Sequence, residues 1–144
     1  MTKFLLAVHV LAAIVAIGPV TVAASMFPAT ARRAAGNDRD AAVLASLHRI
    51  CRVYAVVAVV VPVFGLATAN SLGVLGDAWL IVSIVLTATA AGVLGLLILP
   101  RQRQVLASIT AGAAGLAMYT GVFNILWATV TVLMIVRPGS TTGA

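Results

Sequence analysis

The side chain best suited to chemistry in this 144-residue sequence is a histidine near its start. His9 lies well inside a long apolar segment, where an ionisable residue is usually functional or bonded to a partner. Its imidazole can bind haem iron or copper if a second ligand lies at a similar depth. We therefore take His9 as the first candidate for cofactor or metal binding.

A second ligand for such a centre has two sources in the sequence. His48 is expected at the opposite end of the next apolar segment, so a bis-histidine haem site within one chain is not predicted. Met134, near the far end of the last segment, has a soft sulfur that suits haem iron or copper. The alternative for His9 is a neutral imidazole hydrogen-bonded within a polar layer. The predicted members of that layer are Thr68, Ser83, Asn124 and Thr131.

Catalytic groups of other kinds are scarce. The apolar segments contain no Asp, Glu, Lys or Arg, so they offer no proton relay and no carboxylate pair for acid–base catalysis. The single cysteine, Cys51, excludes an intrachain disulfide and a multi-thiolate metal site, and we expect it to be a small packing residue. An enzyme is therefore not favoured, and no catalytic residue is assigned.

The composition predicts which elements must position these residues. Hydrophobic residues make up 62% of the chain and charged residues 8%, and the mean hydropathy is +1.17. Because a soluble domain has roughly 25% charged residues, this composition is typical of a membrane protein. We predict an all-α bundle of four transmembrane helices forming a single domain over 1–144, with a disordered tail at 138–144. The predicted helices span residues 4–27, 41–71, 79–99 and 105–136.

Prolines and polar residues set the predicted helix boundaries. A polar turn is expected from Pro28 to Asp38, followed by a second helix that Asp40 caps and that extends beyond the bilayer. Pro62 is expected either to kink this second helix or to be accommodated by neighbouring helices, and Pro100 is expected to end the third.

The net charge of +6 comes from cations that flank the apolar segments. They do not lie on one face, so we expect anionic lipid headgroups as their partners and no nucleic acid. The residues assigned to headgroups are Arg32, Arg33, Arg49, Arg52, Arg101 and Arg103. Cytoplasmic loops are rich in Lys and Arg, so these basic loops are predicted inside a bacterial plasma membrane, with both termini outside. His48 is expected in the headgroup region, and Trp79 and Trp127 near the outer boundary.

Small residues recur at helical spacing and allow close helix contact. The third helix contains Ser83, Thr87, Ala91 and Gly95, and the fourth contains Ala113, Ala117 and Gly121. One interpretation is packing within the bundle; the other is a face for a protein partner or a second copy of the chain.

Three stretches of the sequence resemble a family. They are Lys3–Ala13, Pro100–Arg103 and Leu133–Gly139. Over nearly the whole chain the sequence resembles a bacterial family of small integral membrane proteins without an established function, similar to the copper-resistance-D-like superfamily of four-helix proteins. The resemblance implies haem or copper binding through His9, which matches a helix-one histidine important in relatives that handle copper or associate with haem. Many relatives have a Trp and a Gly-Gly pair after that histidine, whereas this chain has Ala16, Gly18 and Pro19.

Three functions remain open on these grounds. The favoured one is a non-enzymatic accessory or interaction subunit of a plasma-membrane complex, because the chain combines small-residue stripes with few catalytic groups. The second is a haem- or copper-associated redox protein using His9. The third is a transporter of an apolar or lipid-like cargo, which needs no charged residue in the membrane.

Overall fold

The computed structural model of the protein describes residues 1–108 and 114–140, and all regular structure in these ranges is helical. The helices are α1 (Thr2–Arg33), α2 (Asp38–Val57), α3 (Val60–Leu72), α4 (Ala78–Gly92), a π-helix (Val93–Ile98), α5 (Leu99–Ala107) and α6 (Leu116–Val136). They form four segments long and apolar enough to cross a membrane: α1, then α2 with α3, then α4 through α5, then α6. The prediction of an all-α fold with four such segments is confirmed.

The outer surface of the bundle is apolar. Val56, Leu96, Ile125 and Ile135 are each about 70% exposed or more. Water would meet a continuous hydrophobic surface there, whereas lipid chains solvate it without cost. The protein is therefore a multi-pass membrane protein.

The first segment is the centre of the bundle. α1 packs against α2, α3 and α6, α4 packs against α6, and α5 contacts α2. The main core follows α1 through Val20 and Phe27 and reaches Leu44 and Ile98, all of which are fully buried. The second and third segments meet at their ends, through α2 with α5 and through a small cluster around Val74 and Trp79.

The two ends of the bundle differ in chemistry. At the basic end, the turn between α1 and α2 lies on the same side as α5, and Arg101 lies over the Tyr119 ring, 4.4 Å from its centroid. At the terminal end, which holds Met1 and Arg137, the hydroxyl groups of Thr2 and Ser71 are 2.6 Å apart. These contacts hold consecutive segments in antiparallel register.

The first predicted boundary is wrong. α1 does not end before Pro28 but includes it and continues to Arg33. The N-cap of α2 is Asn37, whose side-chain oxygen accepts from the backbone N–H groups of Arg39 and Asp40. The Asp40 carboxylate, the predicted cap, instead accepts from the Asn37 amide and lies 3.8 Å from the Arg33 guanidinium.

Two further prolines act differently from each other. Pro62 divides the predicted second helix, because proline has no N–H and its ring clashes with the carbonyl of Ala58. That carbonyl accepts from Val61 N instead, and a short turn at Ala58 and Val59, whose backbone angles stay in the right-handed helical region, separates α2 from α3. Pro100 does not end the third segment as predicted. It lies in the first turn of α5, directly after the π-helix, where the altered ladder of backbone hydrogen bonds accommodates a missing donor.

The start of the fourth helix is also corrected. Val105, its predicted beginning, belongs to α5, and α6 begins at Leu116. Residues 109–113, including Ala113, and residues 141–144 of the predicted tail lie outside the described residues. Just before residue 141 the chain turns at Arg137, whose carbonyl accepts from Ser140 N at 3.0 Å.

Candidate functional site

His9 lies between α1 and the broken second segment. Its Nδ1 is 2.9 Å from the carbonyl oxygen of Val61. Because a carbonyl oxygen only accepts, Nδ1 donates the hydrogen bond, and in the neutral ring Nε2 is then the acceptor. The imidazole is therefore held in one tautomer by the backbone of α3.

The position of the imidazole depends on a glycine that sequence reasoning missed. A Cβ atom added to Gly65 would lie 2.9 Å from His9 Cε1, closer than real Cβ atoms come to another atom, and 3.2 Å from Nδ1, which is also a tight contact. Any larger residue at this position must displace the ring from Val61. The signal available in the sequence was a glycine three residues after Pro62, but the sequence does not indicate which residue lies against it.

The polar layer predicted around His9 does not form. Three of its members donate their hydroxyl hydrogen to the carbonyl four residues earlier in their own helices: Thr68, Ser83 and Thr131. The fourth, Asn124, forms an interhelical hydrogen bond, from its Nδ2 to Ser25 Oγ of α1 at 3.1 Å. The hydrogen-bond partner of His9 is a backbone carbonyl.

The helix register separates His9 from Met134. The bond between Ser25 and Asn124 fixes antiparallel α1 against α6, and it places Met134 about 9 Å of helix axis from the level of His9, at 1.5 Å per residue. Within residues 1–108 and 114–140, no three His, Cys, Asp or Glu side chains are grouped as a metal site would require. Met134 is therefore not at the depth at which it could share a metal ion or haem iron with His9.

The second histidine is not the headgroup residue that the sequence predicted. His48 is only 6% exposed, and its Nδ1 donates to Gln102 Oε1 of α5 at 3.0 Å. The amide of Gln102 donates in turn to Cys51 Sγ at 3.6 Å, and neither of these two residues has accessible surface. His48, Gln102 and Cys51 thus form a buried polar network that joins α2 to α5.

The arginines beside this network face outward. Arg49 and Arg52 are exposed and line a shallow groove along α2 together with Ser46 and one edge of His48. Arg101 is only half exposed and donates to the Tyr119 hydroxyl at 3.3 Å. The remaining arginines assigned to headgroups are exposed: Arg32, Arg33 and Arg103.

A cavity of about 310 Å³ lies at mid-depth in the bundle. It is bounded by the break between α2 and α3 on one side and by α4 with the π-helix on the other. Ile17 of α1 and Phe123 and Trp127 of α6 complete its wall. Each of these residues lies near the middle of its segment, so Trp127 is not at the outer boundary where it was predicted.

The small residues of the third segment line this cavity. Thr87, Ala91 and Gly95 face Ala55 and Ala58 across it. The small residues of the third segment therefore leave space beside the second segment instead of bringing the two helices together. Ser83, one turn before Thr87, is fully buried.

The small residues of the fourth segment have a different environment. Ala117 is exposed, and a Cβ atom added to Gly121 would meet nothing within 4 Å. Asn124, one turn further along the same face, has a buried Oδ1 without a hydrogen-bond partner. The hydroxyl groups of Thr120 on α6 and Thr21 on α1 are likewise buried and unpaired. This α1–α6 face has small residues and unsatisfied acceptors side by side.

The fold and these contacts define a small polytopic four-helix membrane protein with a mid-depth apolar cavity and a polar, small-residue face. Comparison of the chain with protein-family models, with curated proteins and with solved structures finds no match.

Proposed function

We propose that the protein is a non-enzymatic accessory subunit of a membrane protein complex and that it docks through the α1–α6 face. The observation that supports this proposal is the open surface of α6 beside Asn124, where a Cβ atom added to Gly121 would meet nothing within 4 Å. Membrane helices associate where small residues let their backbones approach closely, and a half-buried amide such as that of Asn124 can add an interhelical hydrogen bond.

The residues beside Asn124 suit such a contact. Gly121 and Ala117 precede it by one and two turns, and they leave the backbone of α6 open to close approach. The expected partner is a transmembrane helix that has small residues and a polar side chain at mid-depth.

The association is tested with the full chain in its native membranes, extracted in mild detergent and sized by native electrophoresis. Asn124→Leu keeps the volume but removes the amide, and it is expected to weaken assembly about 3- to 30-fold, the range of interhelical hydrogen bonds in membranes. Gly121→Leu is expected to abolish the larger complex by blocking close approach.

Val132→Leu is the matched control, because Val132 is a lipid-exposed residue of the same helix. A chain that migrates as a lone monomer contradicts the proposal. So does a complex that both Asn124→Leu and Gly121→Leu leave intact.

The proposed location is a bacterial plasma membrane with the basic end in the cytoplasm. The support is the positive charge of that end, where Arg32, Arg33, Arg49 and Arg52 are exposed at the level of lipid headgroups.

A thiol reagent that does not cross membranes tests this orientation in intact cells. It is expected to label Gly139→Cys and to leave Ala35→Cys unlabelled, since the two residues are exposed at opposite ends of the bundle. Cys51 is fully buried and serves as an unreactive background. Labelling of Ala35→Cys alone would reverse the orientation.

The two other functions have less support. A redox role for His9 has no second ligand in Met134, which is at a different depth. A transport role requires a path from one end of the bundle to the other, whereas the cavity described above lies at mid-depth.

A further inference from the structure

The size of the mid-depth cavity limits what it can hold. At about 30 Å³ per non-hydrogen atom, the share that a water molecule takes in the liquid, 310 Å³ accommodates about ten such atoms. A helix, about 10 Å across, is too large, and a haem macrocycle is several times too large. One small ring or one stretch of hydrocarbon chain fits.

The cavity is created by two irregular helices. A turn at Ala58 and Val59 interrupts the regular helix of the second segment, and the third segment is π-helical from Val93 to Ile98. Both irregular stretches contribute to the wall, through Ala58, Val59, Leu94 and Gly95. Because π-helical turns occur frequently at functional sites, the opposition of these two features points to a binding site.

The wall is almost entirely apolar, but two of its side chains have hydrogen-bond donors. Thr87 has a hydroxyl group and Trp127 has an indole N–H, and neither side chain is hydrogen-bonded to any residue in the described ranges. By contrast, another threonine and the other tryptophan each have a hydrogen-bond acceptor for the same donor group. Thr89 donates to the carbonyl four residues earlier, and Trp79 donates to Asp77. A donor in an apolar site is an unused binding group for an acceptor on a ligand.

We propose that this cavity binds the ring of an isoprenoid quinone. A quinone head group has carbonyl oxygens to accept from Thr87 and Trp127, about ten to thirteen non-hydrogen atoms, which is close to what the cavity accommodates, and a flat face that packs on Phe123. Isoprenoid quinones dissolve in the bilayer interior, so the ring reaches mid-depth from the lipid side. Its chain leaves between the second and third segments, which meet only at their ends.

Binding is tested with the full chain in nanodiscs, using decyl-ubiquinone as the probe and Trp127 fluorescence as the signal in a Trp79→Phe background. Saturable quenching is expected. Parallel titrations of protein that retains Trp79 check that the background substitution leaves the site intact.

Two pairs of variants separate the ring site from general partition into lipid. Thr87→Val removes the unpaired hydroxyl and is expected to raise the Kd about fivefold, the equivalent of one ordinary hydrogen bond. Thr89→Val is its control, because that hydroxyl is bonded within its own helix and the Kd should not change. Ala91→Leu fills the cavity and should abolish saturation, whereas Ala88→Leu, exposed on the same helix and not part of the wall, should not.

Three results overturn the proposal. The first is quenching that rises linearly with quinone and does not saturate. The second is equal affinity for decylbenzene, which has the same chain and no carbonyl oxygen and would assign the cavity to hydrocarbon alone. The third is an identical Kd for Thr87→Val and Thr89→Val. None of these results depends on whether the α1–α6 face binds a partner.

Discussion

Replacing Gln102 with leucine is expected to lower the free energy of unfolding by about 2 kcal/mol, the cost of leaving a buried donor without a partner. Leucine fills nearly the volume of glutamine, so little of the loss comes from packing. The His48 Nδ1–H, which donates to Gln102 at 3.0 Å, would then face an apolar side chain in a site that is only 6% exposed. The effect is measured by reversible unfolding of the purified protein in mixed micelles, followed by tryptophan fluorescence.

A double-mutant cycle assigns the loss to the hydrogen bond. His48→Leu removes the donor, so Gln102→Leu should cost much less in that background, with a coupling energy of about 1 to 2 kcal/mol. Gln104→Leu is the matched control, because Gln104 is an exposed residue of the same helix and its replacement should change stability by less than about 0.5 kcal/mol. Additive effects of the two substitutions would mean that the network contributes nothing beyond packing.

This network shows what the sequence could and could not predict about position. Depth along a helix follows from counting residues, and it correctly placed His48 at the basic end of the second segment. Rotation about the helix axis depends on which neighbour lies alongside, and α2 turns His48 toward α5. Gln102 was assigned to a loop because Pro100 was expected to end the helix. Its role as a partner was therefore not predictable from the residue pattern.

The four segments themselves were predictable because the bilayer imposes a length and a polarity that few other structures share. The prediction failed where two physical rules compete. Proline at 28 and 100 disfavours a helix, yet in hydrocarbon an unpaired backbone group is costlier still, so the helix continues and adjusts locally. At Pro62 the same competition interrupts the helix with a turn at Ala58 and Val59, and both turn residues lie in the cavity wall.

The small-residue stripes illustrate a second limit. Their spacing predicts that helices can approach closely, but it does not say whether they do. In the third segment Thr87 and Ala91 line a cavity, and in the fourth Gly121 faces open space. Small residues therefore indicate room beside a helix, which a neighbouring helix, a ligand or a partner can occupy.

Replacing Gly65 with alanine is expected to destabilise the protein, although the same change in a helix interior normally stabilises it by about 1 kcal/mol. The added Cβ would lie 2.9 Å from His9 Cε1, so the ring must move and its hydrogen bond to Val61 must lengthen or break. Overpacking and the lost bond together cost about 2 to 4 kcal/mol, which leaves a net loss of about 1 to 3 kcal/mol after the gain in helix propensity.

The control substitution, and the same substitution made without His9, are both expected to stabilise the protein, whereas Gly65→Ala alone is expected to destabilise it. Gly121→Ala, where the new Cβ meets nothing within 4 Å, is expected to stabilise the monomer in detergent by up to about 1 kcal/mol. In a His9→Ala background the obstruction at Gly65 is gone, so Gly65→Ala should also become stabilising. Unfolding in mixed micelles measures all four proteins on one scale. A Gly65→Ala variant that is stabilised with His9 present would mean that the imidazole is not confined against α3. The single tautomer that leaves Nε2 as an acceptor would then lose its structural basis, because that tautomer depends on Nδ1 being held at the Val61 carbonyl.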